Sequence, residues 1–428
     1  MKESINRFGN DERQKSSSLF SNEKDDDFNI EDYKGMITVP VDYRYTDDIV
    51  TFQDRKLGRK KKMEGKIRLL NLDKKVEPFN SDQKKQLVQQ GFTDGLIRVM
   101  ESYTAEFALR IWIVDNSRSM DKGDGHKVVE HDDNDHSTVG GDNHHNCNKI
   151  EILPCSRWEE MKDTVIYHAT MAATLKAPTI FRLLNDPGRK VGPQVFGVAD
   201  KWSGLADSDL DLAKKVMSNA KPTGASPLCG HMIYIRDQLA SLTNELIKYN
   251  KKVSITIATD GIPTDETYYG QFQKILISMK ELPVYIHIRL ITDDEIVVKY
   301  YRDIDSKIDQ VVAVLDDYME EANKVQKYNS WLNYILPLYR LSEMGCSSNF
   351  QIVNQLNKKK LKKEQVKEFL DRIFIMANMP HDFESFASKY IQRTKTIKYW
   401  NPKKNEATPI IDEEKFEAIY GENPCVIC

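Results

Sequence analysis

Apolar positions along the chain follow two periods. Phe107-Ala-Leu-Arg-Ile-Trp-Ile-Val114, Val253–Thr259 and Val284–Ile291 are nearly continuous apolar runs of strand length, the pattern of strands buried on both faces. Thr179–Leu184 and Gln194–Ala199 read as two further strands. Helical periodicity fills the gaps at Trp158–Lys176, Leu210–Met217, Pro227–Tyr249 and Tyr269–Lys280. Strands alternating with helices imply right-handed crossovers and an α/β fold with a doubly wound, mostly parallel sheet. Functional groups in such sheets collect at the carboxyl ends of the strands.

The alternation spans residues 104–295, and the flanks differ in texture. Residues 1–35 are polar, charged and Ser-rich, and read as a disordered tail. Residues 36–103 carry short strand-like pieces, then two short helices from Ser81 broken at Gly91-Phe92. An insert at 121–148, rich in His and Asp, lacks periodicity and reads as a mobile loop. Residues 296–400 are predominantly helical (Ile296–Asp303, Tyr318–Tyr328, Leu361–Ile375, Phe383–Arg393), giving a C-terminal α-helical region. Residues 401–428 form a polar tail ending in Pro424-Cys-Val-Ile-Cys428.

Charge narrows the function classes. In 428 residues, 62 basic side chains face 65 acidic ones, and the formal charge of -3 gives no global field for nucleic acid or an anionic membrane. No nucleic-acid partner is expected. The basic run Arg55–Lys62 reads as a solvated loop, a nuclear import signal or a lipid patch. The chain shows neither a secretory leader nor an apolar run long enough to span a bilayer, so a cytoplasmic location is expected. Scattered cysteines fit free thiols in a reducing compartment. Cys425-Val-Ile-Cys428 resembles a prenylation signal, with Cys425 the lipidation candidate and a peripheral membrane contact its consequence. Cys428 is not a usual final residue for such a signal, so an uninformative tail and a redox pair stay open beside it.

The chemistry-bearing residues follow the apolar strands. Asp115-Asn116-Ser117-Arg118-Ser119 places three small oxygen donors, Asp115, Ser117 and Ser119, at alternate positions directly after the first strand. Thr259-Asp260-Gly261 follows the second and brings another carboxylate to the same edge if the strands are neighbours. Between them, Ser226 precedes Pro227 at a helix start, where the spacing predicts Ser226 as the N-cap.

In these elements the chain resembles the von Willebrand factor A domain family over about residues 104–295. That family's metal-ion-dependent adhesion site has Asp-x-Ser-x-Ser after the first strand, a Thr or Ser in a mid-domain loop and an Asp, often before Gly, after a later strand. The resemblance implies Asp115, Ser117, Ser119 and Asp260 as metal ligands, with Ser226 as the middle hydroxyl and Thr223 as its alternative. It implies Mg²⁺, or Mn²⁺ or Ca²⁺, and a partner protein whose acidic group completes the coordination. Arg118 departs from the glycine many members carry there.

Other chemistry finds less support. A haloacid-dehalogenase-like phosphatase needs a second carboxylate two residues after its nucleophile, and that position is Ser117. No glycine-rich phosphate cradle occurs. The insert's His126, His131, His136, His144, His145 and Cys147 fit no closed zinc spacing. The expectation is therefore an intracellular, non-enzymatic protein that binds another protein through Mg²⁺; a metal-dependent hydrolase at the same rim, or a prenylated adaptor recruited to membranes, stands as the alternative.

Overall fold

The computed structural model describes residues 36–40, 67–72, 76–131, 149–199, 206–308, 312–376 and 378–421. An antiparallel pair, β1 (Met36–Pro40) and β2 (Ile67–Asn71), precedes two helices, α1 (Ser81–Gln89) and α2 (Asp94–Glu106). Asn80 and Gln83 form a reciprocal capping box at the start of α1, and the Thr93 hydroxyl accepts from Leu96 at the start of α2.

The central layer follows. β3 (Phe107–Val114) leads through a hairpin, β4 (Gly125–His131) with β5 (Lys149–Cys155), into α3 (Arg157–Leu175), β6 (Thr179–Leu183), β7 (Val195–Val198), α4 (Ala206–Asn219) and α5 (Leu228–Lys248). Then come β8 (Lys252–Thr259), α6 (Gln271–Ser278), β9 (Val284–Leu290), α7 (Glu295–Lys307) and β10 (Val312–Leu315). Six strands form one sheet in the order β10-β9-β8-β3-β6-β7. All neighbours are parallel except the β6–β7 edge pair, so the chain is mixed α/β around a mostly parallel sheet. β10 lies within the segment that periodicity reads as helical; its Val-Ala-Val-Leu run is too short to declare itself.

Strand β3 shows why the apolar runs are continuous. Leu109, Ile111 and Ile113 enter one core with Leu228, Met232, Ile235 and Leu239 of α5, whereas Trp112 and Val114 enter another with Met161 and Val165 of α3 and Val216 of α4. Alternate side chains therefore serve opposite faces, and each fully buried aliphatic residue contributes about 1.5–3 kcal/mol.

The insert is corrected in part. Its beginning is a strand, with Gly125 opposite Cys155 and His131 opposite Lys149, because each β4 residue finds a backbone partner across the hairpin. Residues 132–148, with His136, His144, His145 and Cys147, lie outside the described residues, as do residues 1–35 and Cys425.

The remaining elements are α8 (Tyr318–Tyr328), α9 (Leu336–Glu343), α10 (Val353–Leu356), α11 (Lys363–Ile373), α12 (Phe383–Thr394), the hairpin β11 (Lys398–Asn401) with β12 (Glu406–Pro409), and α13 (Glu413–Tyr420). The segment from 401 to 420, read as a polar tail, thus carries a strand and a helix. A third core joins these helices to α1 and α2, with Leu96 and Met100 in the same cluster as Trp331, Leu338, Phe369 and Leu370. Helices α2 and α11 meet at backbone distance, since a Cβ on Gly95 would stand 2.1 Å from the Arg372 carbonyl oxygen.

Buried charges tie this layer to the sheet. Arg289 of β9 donates to Glu343 of α9 at 3.1 Å and to Glu160 of α3 at 2.5 Å. Glu343 also accepts from Arg340 at 2.8 Å and faces His168 Nε2 at 3.2 Å. Each charge thus has a partner, as burial at this depth requires.

Candidate metal centre

Strands β3 and β8 are parallel neighbours with Val114 opposite Ala258, so the turns after them leave the sheet side by side. The Asp115 amide donates to the Ala258 carbonyl at 2.9 Å and holds the first turn against the second strand. Asp115 Oδ1 accepts the Ser117 amide at 2.8 Å, and Oδ2 accepts the Thr259 hydroxyl at 2.6 Å. Both carboxylate oxygens of a fully buried aspartate are therefore fixed in direction.

Side chains link the two turns. Ser119 Oγ donates to Asp260 Oδ1 at 2.8 Å, and Ser117 and Ser119 hydroxyl oxygens are 2.9 Å apart. With the Ser119 proton given to Asp260, Ser117 is the donor between the serines. Asp115, Ser117, Ser119 and Asp260 thus form one connected oxygen cluster at the carboxyl edge. Arg118, between the serines, is exposed and holds its place through its amide, which donates to the Gly224 carbonyl at 3.3 Å.

A loop after α4 closes the third side. Asn116 donates to the Asn185 carbonyl at 3.0 Å and accepts the Asn185 amide at 2.8 Å, while the Asn185 side chain donates to the Ala225 carbonyl at 2.8 Å. Gly224 makes the fit feasible: its φ is +70°, and a Cβ there would stand 2.4 Å from Asn185 Oδ1. Ser226, buried, comes to rest beside Gly261, where a Cβ on the glycine would lie 3.7 Å from its hydroxyl. Thr223 is exposed and is tied to the cluster through its amide, which donates to the Asn116 carbonyl at 2.7 Å.

The expected N-cap role of Ser226 is corrected. Pro227 occupies the cap position of α5 without a side-chain cap bond, and the Asp265 carboxylate instead accepts from the amides of Cys229 at 3.0 Å and Gly230 at 2.8 Å. A carboxylate outcompetes a hydroxyl at a helix N-terminus because it also meets the positive end of the helix dipole. Ser226 hydroxyl is not spent on the helix.

Two participants have roles that the sequence does not assign. Thr259 orients Asp115, as described. Arg157, at the first turn of α3, donates to Asp260 Oδ2 at 2.8 Å and grips both oxygens of Asp124 at 2.6 and 2.7 Å. A bidentate Arg–carboxylate fork of this kind fixes direction as well as charge.

Electrostatics separates the two aspartates. Burial first, and the charge of Asp260 second, push the Asp115 carboxyl up to about 6. Burial alone would lower the Arg157 guanidinium, but its bonds to Asp124 and Asp260 hold it above its ordinary value. The linked side chains of Asp115, Ser117, Ser119 and Asp260 offer two carboxylates and two hydroxyls and neither nitrogen nor sulfur, the oxygen chemistry that hard cations favour.

Neither family models nor curated proteins offer a match to this chain. Among the described residues no helix is long and apolar enough to cross a membrane.

Proposed function

We propose that this chain is a protein-binding module of the von Willebrand factor A type, in which a divalent cation at the sheet edge recruits an acidic group of a partner protein. The observation that carries this reading is the hydrogen-bonded oxygen cluster joining Asp115, Ser117 and Ser119 after β3 to Asp260 after β8. The sheet order, with one antiparallel edge strand and separate cores on the two faces of β3, supports a doubly wound arrangement of that type. Asp115, Ser117, Ser119, Ser226 and Asp260 would hold Mg²⁺ directly or through water, leaving a coordination position for the partner's carboxylate. Exposed Arg118, between the two serines in sequence, adds a charge that an acidic partner would meet on approach.

Capture of binding partners by the immobilised chain in Mg²⁺, followed by elution with EDTA, tests the reading. Partners should be released by the chelator and should fail to bind Asp115→Ala. Binding indifferent to both changes refutes it.

A further inference from the structure

We propose a second metal site, chemically distinct from the first, formed by His126, Asp293 and Asp317 and selective for a transition-metal dication such as Zn²⁺. The three residues come from three separate segments: strand β4, the loop after β9, and the N-cap of α8 directly after β10. One ligand atom from each lies within 4.8 Å of the other two. Ligands on a four-coordinate Zn²⁺ at about 2.0–2.1 Å stand roughly 3.3 Å apart, so rotation of partly exposed side chains closes the remaining gap.

The supports around the cluster are already fixed. The His126 amide donates to Glu160 Oε2 at 2.8 Å, which anchors the strand at that point. Asp317 uses Oδ1 to accept the Glu320 amide at 2.8 Å, leaving Oδ2 directed at His126 Nδ1, 3.5 Å away. Since β9 and β10 are parallel neighbours, with Leu315 opposite Arg289, Asp293 and Asp317 emerge on one sheet edge.

Charge is the independent argument. Asp124 and Asp260 share the Arg157 guanidinium, and Glu160 and Glu343 share that of Arg289, whereas among the described residues Asp293 and Asp317 have no Lys or Arg within ion-pair distance. Lys324, whose charge also feels Asp293, is committed to Asp316. The basic group inside the cluster is the His126 imidazole, with Arg157 acting on Asp293 and Arg289 on Asp317 only from beyond ion-pair distance, and a dication would neutralise the two facing carboxylates directly. His126 and Asp317 also line a small cavity beside Lys127 and Arg340, with room for about one water. The imidazole nitrogen sets the preference, because Mg²⁺ and Ca²⁺ favour all-oxygen shells while Zn²⁺ accepts mixed nitrogen and oxygen donors.

The test is calorimetric titration of the chelator-stripped full chain with Zn²⁺ in excess Mg²⁺, with Co²⁺ absorption as a spectroscopic reporter. Wild type is expected to bind a Zn²⁺ ion that Mg²⁺ does not displace. His126→Ala and Asp317→Asn should each weaken that site by more than the roughly 10–100-fold that loss of an outer-shell partner costs. Asparagine is chosen because it still caps α8, so a loss in that variant is not an unfolding effect. Asp115→Ala should retain the ion. No Zn²⁺ binding in wild type, binding unchanged in both His126→Ala and Asp317→Asn, or loss in Asp115→Ala would each overturn the proposal.

Discussion

Arg157 and Asp260 form an ion pair at 2.8 Å with side chains only 3% and 0% exposed, at the edge where a divalent cation is proposed to bind. The guanidinium compensates one site carboxylate from within the fold. Among the described residues Asp115 has no such cation at bonding distance, and it relies on Thr259 and the Ser117 amide. The two aspartates thus enter metal binding from different starting points: Asp260 already compensated, Asp115 carrying the charge that a metal would relieve.

Arg157→Met tests this division. Removing one partner of a buried pair leaves an uncompensated charge and costs about 3–5 kcal/mol. The variant should melt well below wild type in EDTA, with Mg²⁺ recovering more of its stability than it adds to wild type. Thermal denaturation with and without Mg²⁺ checks it; an equal Mg²⁺ effect on both proteins contradicts the division.

Asp115→Asn should act in the opposite direction on the metal-free chain. With the folded carboxyl pushed up to about 6 from its ordinary 3.8, the charged form is the unfavourable one in the fold, and stability falls as pH rises through that window. Removing the charge should stabilise the metal-free protein at neutral pH by on the order of 2 kcal/mol and abolish any Mg²⁺-dependent rise in Tm. Denaturant titrations at pH 7, with EDTA or Mg²⁺, measure both effects.

Gly224→Ala should damage the loop that presents Ser226. A side chain at φ +70°, with its Cβ 2.4 Å from Asn185 Oδ1, must displace the Asn185 side chain and with it the 2.8 Å bond to the Ala225 carbonyl. The strain is about 1–3 kcal/mol, and weaker Mg²⁺ affinity by calorimetry should accompany the lower Tm.

Acid stability should report His231. Burial first and Arg182 second lower its imidazole to about 4, while its Nδ1 accepts from Arg182 Nε at 2.7 Å. The folded value lies below the unfolded one, so the unfolded chain takes up the proton first as pH falls. The stability that neutral His231 contributes is complete above about 6.5 and is lost progressively down to about 4, amounting to roughly 3 kcal/mol. His231→Gln should flatten that limb of the stability–pH curve relative to wild type.

Legibility in the sequence followed distance along the chain. Asp115, Ser117, Ser119 and Asp260 could be read because each directly follows an apolar run whose buried strand fixes where the turn must lie. Arg157 could not, since Asp124 and Asp260 are 33 and 103 residues away and nothing local marks a helix-start arginine as theirs. The cap of α5 was misassigned for the same reason: Ser226 is adjacent in sequence, but the carboxylate that does the work is 36 residues beyond Cys229. Strand β4 was hidden by its charged and histidine-rich composition, because its stability comes from pairing with β5 across the insert.

The placement of β10 bears on how the protein can be divided. A fragment ending near residue 295 would match the region that the motifs mark out, yet it would lack the strand that pairs with β9 and the helix that carries Glu343. Strand β9 would become an open edge, with backbone groups free to pair with another copy, and Arg289 would keep only one of its two carboxylates. Such a fragment is expected to self-associate, so recombinant work on this rim should keep the chain at least through Tyr420.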